Sequence, residues 1–204
     1  MSVVALLQGF GTGAGLIIAI GSQNAFVLSN ALRNHHVTAI ALVCMLIDAT
    51  LISAGVWGLG ALIKAYPVLL TLATWGGATF LLAYGWLAFK RAFNPNGLQT
   101  NQWQSMSLQG AIWTTLALSL LNPHVYLDAV ILLGSIGGQL PDSQPIWFAI
   151  GACLASVLWF SLLAWGGRLL APWFTSPRSW RILDIAVGLT MWGVALSLII
   201  GSSI

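Results

Sequence analysis

The chain has 204 residues, 58% of them apolar and only 5% charged, with no Glu and a formal net charge of +3. A soluble domain carries roughly a quarter of its residues charged, so this composition excludes one and places the chain in a bilayer. The apolar runs are continuous and do not alternate with period two, which excludes a β-barrel and predicts an all-α integral membrane protein. The seven basic residues sit singly or in pairs at the ends of apolar runs and offer no basic face to a nucleic acid. Cys44 and Cys153 lie inside apolar spans without a second ligand at metal spacing and read as packing residues. No cofactor motif is present. The N-terminal MSVVALLQGFGTG lacks the positive n-region of a signal peptide, so the first span is expected to be retained.

Six segments reach the roughly 20 residues needed to cross about 30 Å of hydrocarbon: about 3–28, 38–63, 66–89, 108–134, 146–168 and 182–201. The first carries Gly9, Gly11, Gly13 and Gly15, overlapping GxxxG pairs that predict close helix packing. Later in it, Gly21-Ser22-Gln23-Asn24 sets a flexible residue beside three polar side chains, which predicts a helix break. The second span holds Asp48 within ALVCMLIDATLISAGVWGLGALI. The third runs into Lys90 and Arg91, and a polar, amide-rich linker over about 91–107 joins the two halves of the chain. In the fourth, Pro123 removes a backbone donor and its ring clashes with the carbonyl of Ser119, which predicts a second break. Asn122 and His124 are placed to satisfy the freed backbone groups or to bind a polar ligand. Asp128 follows, then Gly134 and Gly138, another GxxxG pair. The fifth and sixth spans are apolar throughout their centres.

Positive charge predicts the orientation. Arg33, Lys90, Arg91, Arg168, Arg178 and Arg181 belong to the first, third and fifth connections, against Lys64 alone in an even one. That bias puts the odd connections in the cytoplasm and both termini outside. Trp57, Trp86, Trp103, Trp113, Trp147, Trp173 and Trp180 fall near the expected interfaces, where an amphipathic ring is favoured.

The halves, about 1–90 and about 108–204, echo one another within one transmembrane domain. Leu7-Gln8-Gly9 returns as Leu108-Gln109-Gly110, and Ser22-Gln23-Asn24-Ala25-Phe26-Val27 matches Asn122-Pro123-His124-Val125-Tyr126-Leu127 in character and place. Ser53, Trp57 and Gly58 return as Ser161, Trp165 and Gly166, a register that pairs Asp48 with Ser156. Three spans per half make the repeats inverted, an arrangement found in secondary transporters with the site on broken helices near the repeat interface.

A carboxylate at bilayer depth costs roughly 2.5–3.5 kcal/mol on insertion scales, so Asp48 and Asp128 are expected to face the bundle interior. The plainer alternative for each is a hydrogen bond between helices. Together the polar groups suit a zwitterion with an extra positive charge. A half-helix N-terminus attracts a carboxylate, the amides of Gln23, Asn24 and Asn122 suit an α-ammonium, and Asp48 and Asp128 suit a guanidinium or side-chain ammonium. On this view the two breaks hold the amino-acid backbone and the two Asp read its side chain. His124 and Asp128 lie four apart on one helical face, close enough to share a proton; His124 alternatively serves only its own broken helix.

GSQNAFVLSNALR resembles the GPQNAFV signature of the lysine exporter family, and TWGGATFLLAYGWLAFKRA and LNPHVYLDAVILLGSIGGQL resemble segments of its arginine exporter subgroup. The resemblance implies efflux of basic amino acids from a bacterial cytoplasm across the inner membrane, driven by membrane potential or a proton gradient, on an inverted three-plus-three helix fold. Carried onto this chain, its motif positions are Gln23, Asn24, Phe26, Asp48, Asn122, Pro123, His124, Tyr126 and Asp128, with Tyr126 among the substrate-binding set. Ser22 stands where the signature has Pro, so here the first break rests on Gly21 and its polar neighbours. The expected partners are a basic amino acid and the lipid bilayer, with a homo-oligomer left open. Export of neutral amino acids or of a divalent cation is the alternative. The paired Asp argue against the first, and the absence of a Cys/His/carboxylate cluster at ligand spacing argues against the second. No HExxH, GxSxG or nucleophile–base pair points to an enzyme.

Overall fold

The computed structural model describes residues 2–18, 21–59, 67–93, 106–141, 143–173 and 176–201. Most of the expected linker, with Trp103, and Lys64 lie outside the described residues. Among the described residues the fold is all helical. The first expected span is two helices, α1 (Ser2–Ile17) and α2 (Ser22–Leu32), whose axes differ by 80°. Helix α3 (Val37–Ala54) continues into a π-helical turn at Gly55–Leu59, and α4 spans Pro67–Phe93. The fourth span is again a bent pair, α5 (Leu108–Leu120) and α6 (Pro123–Gly137), meeting at 63°. Helices α7 (Gln144–Leu170) and α8 (Pro177–Gly201) complete the bundle.

Helices α3, α7 and α8 are each long and apolar enough to cross a membrane, and counting each bent pair as one span brings the number to as many as five. Helix α4 adds 27 residues, about 40 Å at 1.5 Å per residue. The first expected span extends past its predicted end, because α2 runs on to Leu32 before Arg33 takes the C-cap position. Both α3 and α7 pass into a π-helical turn, at Gly55–Leu59 and Leu162–Gly166. Gly58, at φ 103°, adopts a conformation open to glycine and strained for other residues.

Two helix pairs organise the packing, α1 against α7 and α4 against α8. The α1–α7 seam is built on small residues. A Cβ on Gly9 would collide with the Phe148 carbonyl, one on Gly151 with the Leu6 carbonyl, and one on Gly13 would come within 3.0 Å of Ala152. Gly11 and Gly15, by contrast, have nothing within 4 Å of a Cβ. The four-glycine pattern therefore resolves into one packed face, Gly9 and Gly13, and one open face. Gly55 and Gly134 make a second close approach, between the turn after α3 and the end of α6. Fully buried Phe26, Phe160, Ile40, Leu118 and Met191 fill the core between the pairs.

The described residues flanking the first, third and fifth connections contact one another. Arg33 Nη2 donates to Asp184 Oδ1 at 2.6 Å, and Arg91 Nε to the same oxygen at 3.3 Å. Arg168 Nε donates to Asn34 Oδ1 at 2.7 Å, and Arg181 Nε to the Ala92 carbonyl at 3.1 Å. His36 Nε2 lies 2.9 Å from the Met106 carbonyl, which ties the first connection to the start of α5. Asn34 and His36 take left-handed backbone conformations at φ 54° and 46°, making that connection tight. Burial, then Arg33, then His36, hold the His35 imidazole below its ordinary pKa, so it is neutral at neutral pH.

Candidate functional site

The two bends and α3 enclose a cavity of about 410 Å³. Its wall comes from the end of α1 (Leu16, Ile17), the start of α2 (Gly21, Ser22, Gln23, Asn24), α3 (Asp48, Ile52), α6 (Asn122, His124, Val125, Asp128, Ala129, Leu133), Phe160 of α7, and Gly193, Val194 and Ser197 of α8. Gln23, Asn24, Asp48, Asn122, His124 and Asp128, separated by up to 105 residues in sequence, thus face one space. That volume falls in the roughly 300–1,000 Å³ range of small-molecule sites, and the mixture of apolar wall with a few convergent polar groups is also typical of them.

Each polar residue has an identifiable support. Asp48 is buried in the middle of α3, and its Oδ2 accepts a 2.6 Å hydrogen bond from Ser156 Oγ of α7. Asn24 Nδ2 donates to the Ile17 carbonyl at 2.9 Å, closing one of the acceptors left open at the end of α1. At the second bend, Asn122 caps α6: its side chain accepts from His124 N at 3.1 Å, and its carbonyl from Val125 N at 3.1 Å. Pro123 occupies the first helical position, where a missing N–H costs nothing.

Tyr126 is the sequence-derived binding residue that the structure leaves out of the cavity wall. Its hydroxyl donates to the Leu120 carbonyl at 2.8 Å and so stabilises the bend from behind. His124 and Asp128 both line the cavity, but no hydrogen bond joins them. The intervening turn, Tyr126–Leu132, is π-helical, and its wider winding moves residues four apart off a common line.

Asp184 is the residue that sequence reasoning missed. It is fully buried near the start of α8 and receives both Arg33 and Arg91. Trp180 lies under the Arg33 guanidinium, 5.1 Å from ring centroid to Cζ, and Tyr84 is 5.9 Å from Arg91 Cζ. A signal was available, since Asp184 opens a long apolar run just as Asp48 and Asp128 interrupt theirs. The cluster lies beyond the cavity towards the odd connections, nine residues along α8 from Gly193, or about 14 Å at 1.5 Å per residue.

The LysE type translocator profile matches residues 14–202, nearly the whole chain. The chain belongs to the LysE type translocator family. It is accordingly a multi-pass membrane transporter and not an enzyme. Among its relatives, the "Arginine exporter protein ArgO" of Serratia proteamaculans is 45% identical over 94% of this chain and 94% of its own length. Proteins of the same name from Pectobacterium carotovorum (44% identical, covering 94% of this chain and 95% of theirs) and Yersinia enterocolitica (45%, 94% and 94%) are similarly close. No solved structure matches the chain. The resemblance carried by the GSQNAFV and NPHVYLD segments thus extends over the full family match, and those two segments supply most of the polar cavity wall.

Proposed function

We propose that this LysE-family protein exports basic amino acids, L-arginine foremost and L-lysine with it, from the bacterial cytoplasm across the inner membrane. The reading is supported most directly by one observation: Asp48 and Asp128, from different helices, line a single cavity beside the amides of Gln23, Asn24 and Asn122. A guanidinium or ammonium leaving water needs charge-assisted acceptors of this kind, which are strongest where desolvated. The names of the relatives, arginine exporters at about 45% identity over most of both chains, agree with that chemistry.

In the proposed architecture the chain is one transporter domain of six spans. Repeat 1 covers about 1–90, a cytoplasmic linker about 91–107, and repeat 2, inverted relative to the first, about 108–204. Helices α1 and α2 form a broken first span and α5 and α6 a broken fourth, which sets the cavity where the repeats meet, as in other transporters of inverted-repeat design. The odd connections face the cytoplasm and both termini the periplasm, following the excess of Arg and Lys in the former. Transport proceeds by alternating access, with membrane potential or a proton gradient as the driving force, and His124 and Asp128 as the groups placed to carry a proton.

Counterflow in proteoliposomes loaded with unlabelled arginine, with labelled arginine and unlabelled competitors outside, tests the reading. Competition by arginine and lysine but not by citrulline or alanine is the expected result. Competition by neutral amino acids alone, or uptake of cadmium without arginine, would replace it with one of the two alternatives.

A further inference from the structure

The two helix bends look alike in sequence, but their N-termini are chemically unlike. At the second bend every donor of the first turn is already used or missing: Pro123 has no N–H, His124 N is taken by the Asn122 side chain, and Val125 N by the Asn122 carbonyl. The first bend is the reverse. Gly21 precedes α2 in an extended conformation and, having no side chain, caps nothing. The N–H groups of Ser22 and Gln23 lie in the first turn of an 11-residue helix, where the helix itself supplies no acceptor for them. One side-chain atom at the same place is also without a hydrogen-bond partner among the described residues although buried: Ser22 Oγ, on a residue wholly removed from solvent. Ser22 and Gln23 line the cavity that holds Asp48 and Asp128.

We infer that the N-terminus of α2, with Ser22 Oγ, is the subsite for the α-carboxylate of the transported amino acid, and that the second bend takes no part in binding that group. The inference rests on the export reading and deepens it by dividing the cavity between the substrate's two ends. A carboxylate is the ligand these groups fit. It presents acceptors only, it matches a cluster of orphaned donors, and its charge is stabilised by the partial positive charge at a helix start. Asp48 and Asp128, acceptors themselves, are left to the cationic end. Ser22 gains its role from a difference in this chain. A proline there, as in the family signature, would present neither an N–H nor a hydroxyl.

The test is calorimetric binding to the purified full chain in lipid nanodiscs, using L-arginine and its decarboxylated analogue, which keeps the guanidinium and lacks the carboxylate. Wild-type protein is expected to favour arginine by about a hundredfold, as two or more hydrogen bonds to a charged group require. Ser22→Ala should weaken arginine about tenfold, the loss of one such bond, and leave the analogue unchanged. Ser22→Pro should narrow the preference further. It is compatible with the fold, because proline suits the first helical position and the extended Gly21 suits a following proline. Asn122→Ala should weaken both ligands by the same factor. Equal wild-type affinity for the two ligands overturns the inference without reference to any variant. So does an equal loss of both in Ser22→Ala, or a narrowed preference in Asn122→Ala. If wild-type protein binds the guanidinium analogue and arginine equally, the export reading stands and only this subsite falls; if it binds neither, both fall.

Discussion

Ser156 Oγ donates to Asp48 Oδ2 at 2.6 Å, so the two residues that the proposed repeat sets in register with one another meet in the core. One half contributes the carboxylate and the other a small donor that holds it. Of the two carboxylate oxygens, the one bound to Ser156 is anchored to α7. The carboxyl group as a whole still borders the cavity, and among the described residues no cationic side chain pairs with it.

Asp48→Asn and Asp128→Asn are therefore expected to insert and fold, since each removes an insertion cost of roughly 2.5–3.5 kcal/mol. At least one should abolish export of arginine and lysine, and Asp48→Asn should weaken arginine binding more than citrulline binding. Ser156→Ala should act in the same direction but less, by about tenfold in arginine affinity, the scale of one hydrogen bond to a charged group. Competition binding on purified protein measures all three. Unchanged arginine transport in both Asp variants would reduce these residues to interhelical hydrogen bonds.

The Arg33–Asp184–Arg91 cluster should matter for stability in proportion to burial. The side chains of Arg33 and Asp184 are 11% and 1% exposed, whereas that of Arg91 is 36% exposed. Asp184→Asn strands a buried guanidinium and should cost about 3–5 kcal/mol, while Arg91→Gln should cost no more than about 1 kcal/mol. Thermal unfolding midpoints in one detergent compare them. A larger drop for Arg91→Gln than for Asp184→Asn would mean that the Asp184 carboxylate is not what holds the cluster together.

The glycine seam gives a sharp steric contrast along one helix. Gly9→Ala must displace the backbone of α7 and should lose about 1–3 kcal/mol, the usual cost of overpacking. Gly15→Ala, with nothing within 4 Å of its new methyl, should be neutral or slightly stabilising. The yield of monodisperse protein after size-exclusion chromatography distinguishes the two. Equal tolerance at both positions would show that α1 and α7 are not held in this contact.

Topology is open to direct labelling. With the odd connections in the cytoplasm, a tag on either terminus should be reached by an impermeant reagent added to whole cells. A cysteine within residues 91–107 should react only after lysis. A C-terminal tag protected in whole cells would overturn both the orientation and the six-span count.

Much of the cavity could be read from the chain because its polar residues interrupt apolar runs. Gln23, Asn24, Asp48, Asn122, His124 and Asp128 each stand out against aliphatic neighbours, and the structure brings all six to one space. What could not be read is pairing. Nothing local links Asp184 to Arg33, 151 residues away. The tightness of the 33–36 connection and the start of α8 decide that contact. The difference between the two bends was hidden for a related reason. Whether Asn122 turns its oxygen onto its own helix or into the cavity depends on a side-chain rotation that composition does not record. Tyr126 illustrates the same point, with its hydroxyl spent on the Leu120 carbonyl.

The contact between Gly9 and Gly13 of α1 and the face of α7 also bears on how the protein is made. Helix α1 leaves the ribosome well before α7, yet the surface its glycines fit begins only at Gln144. Likewise α4 meets its main partner, α8, only once Pro177–Gly201 has been synthesised. Until then both early helices must wait in lipid with their packing faces uncovered. Neither half of the chain holds a complete set of partners, so the two halves expressed separately would have to find each other before either could reach its final packing.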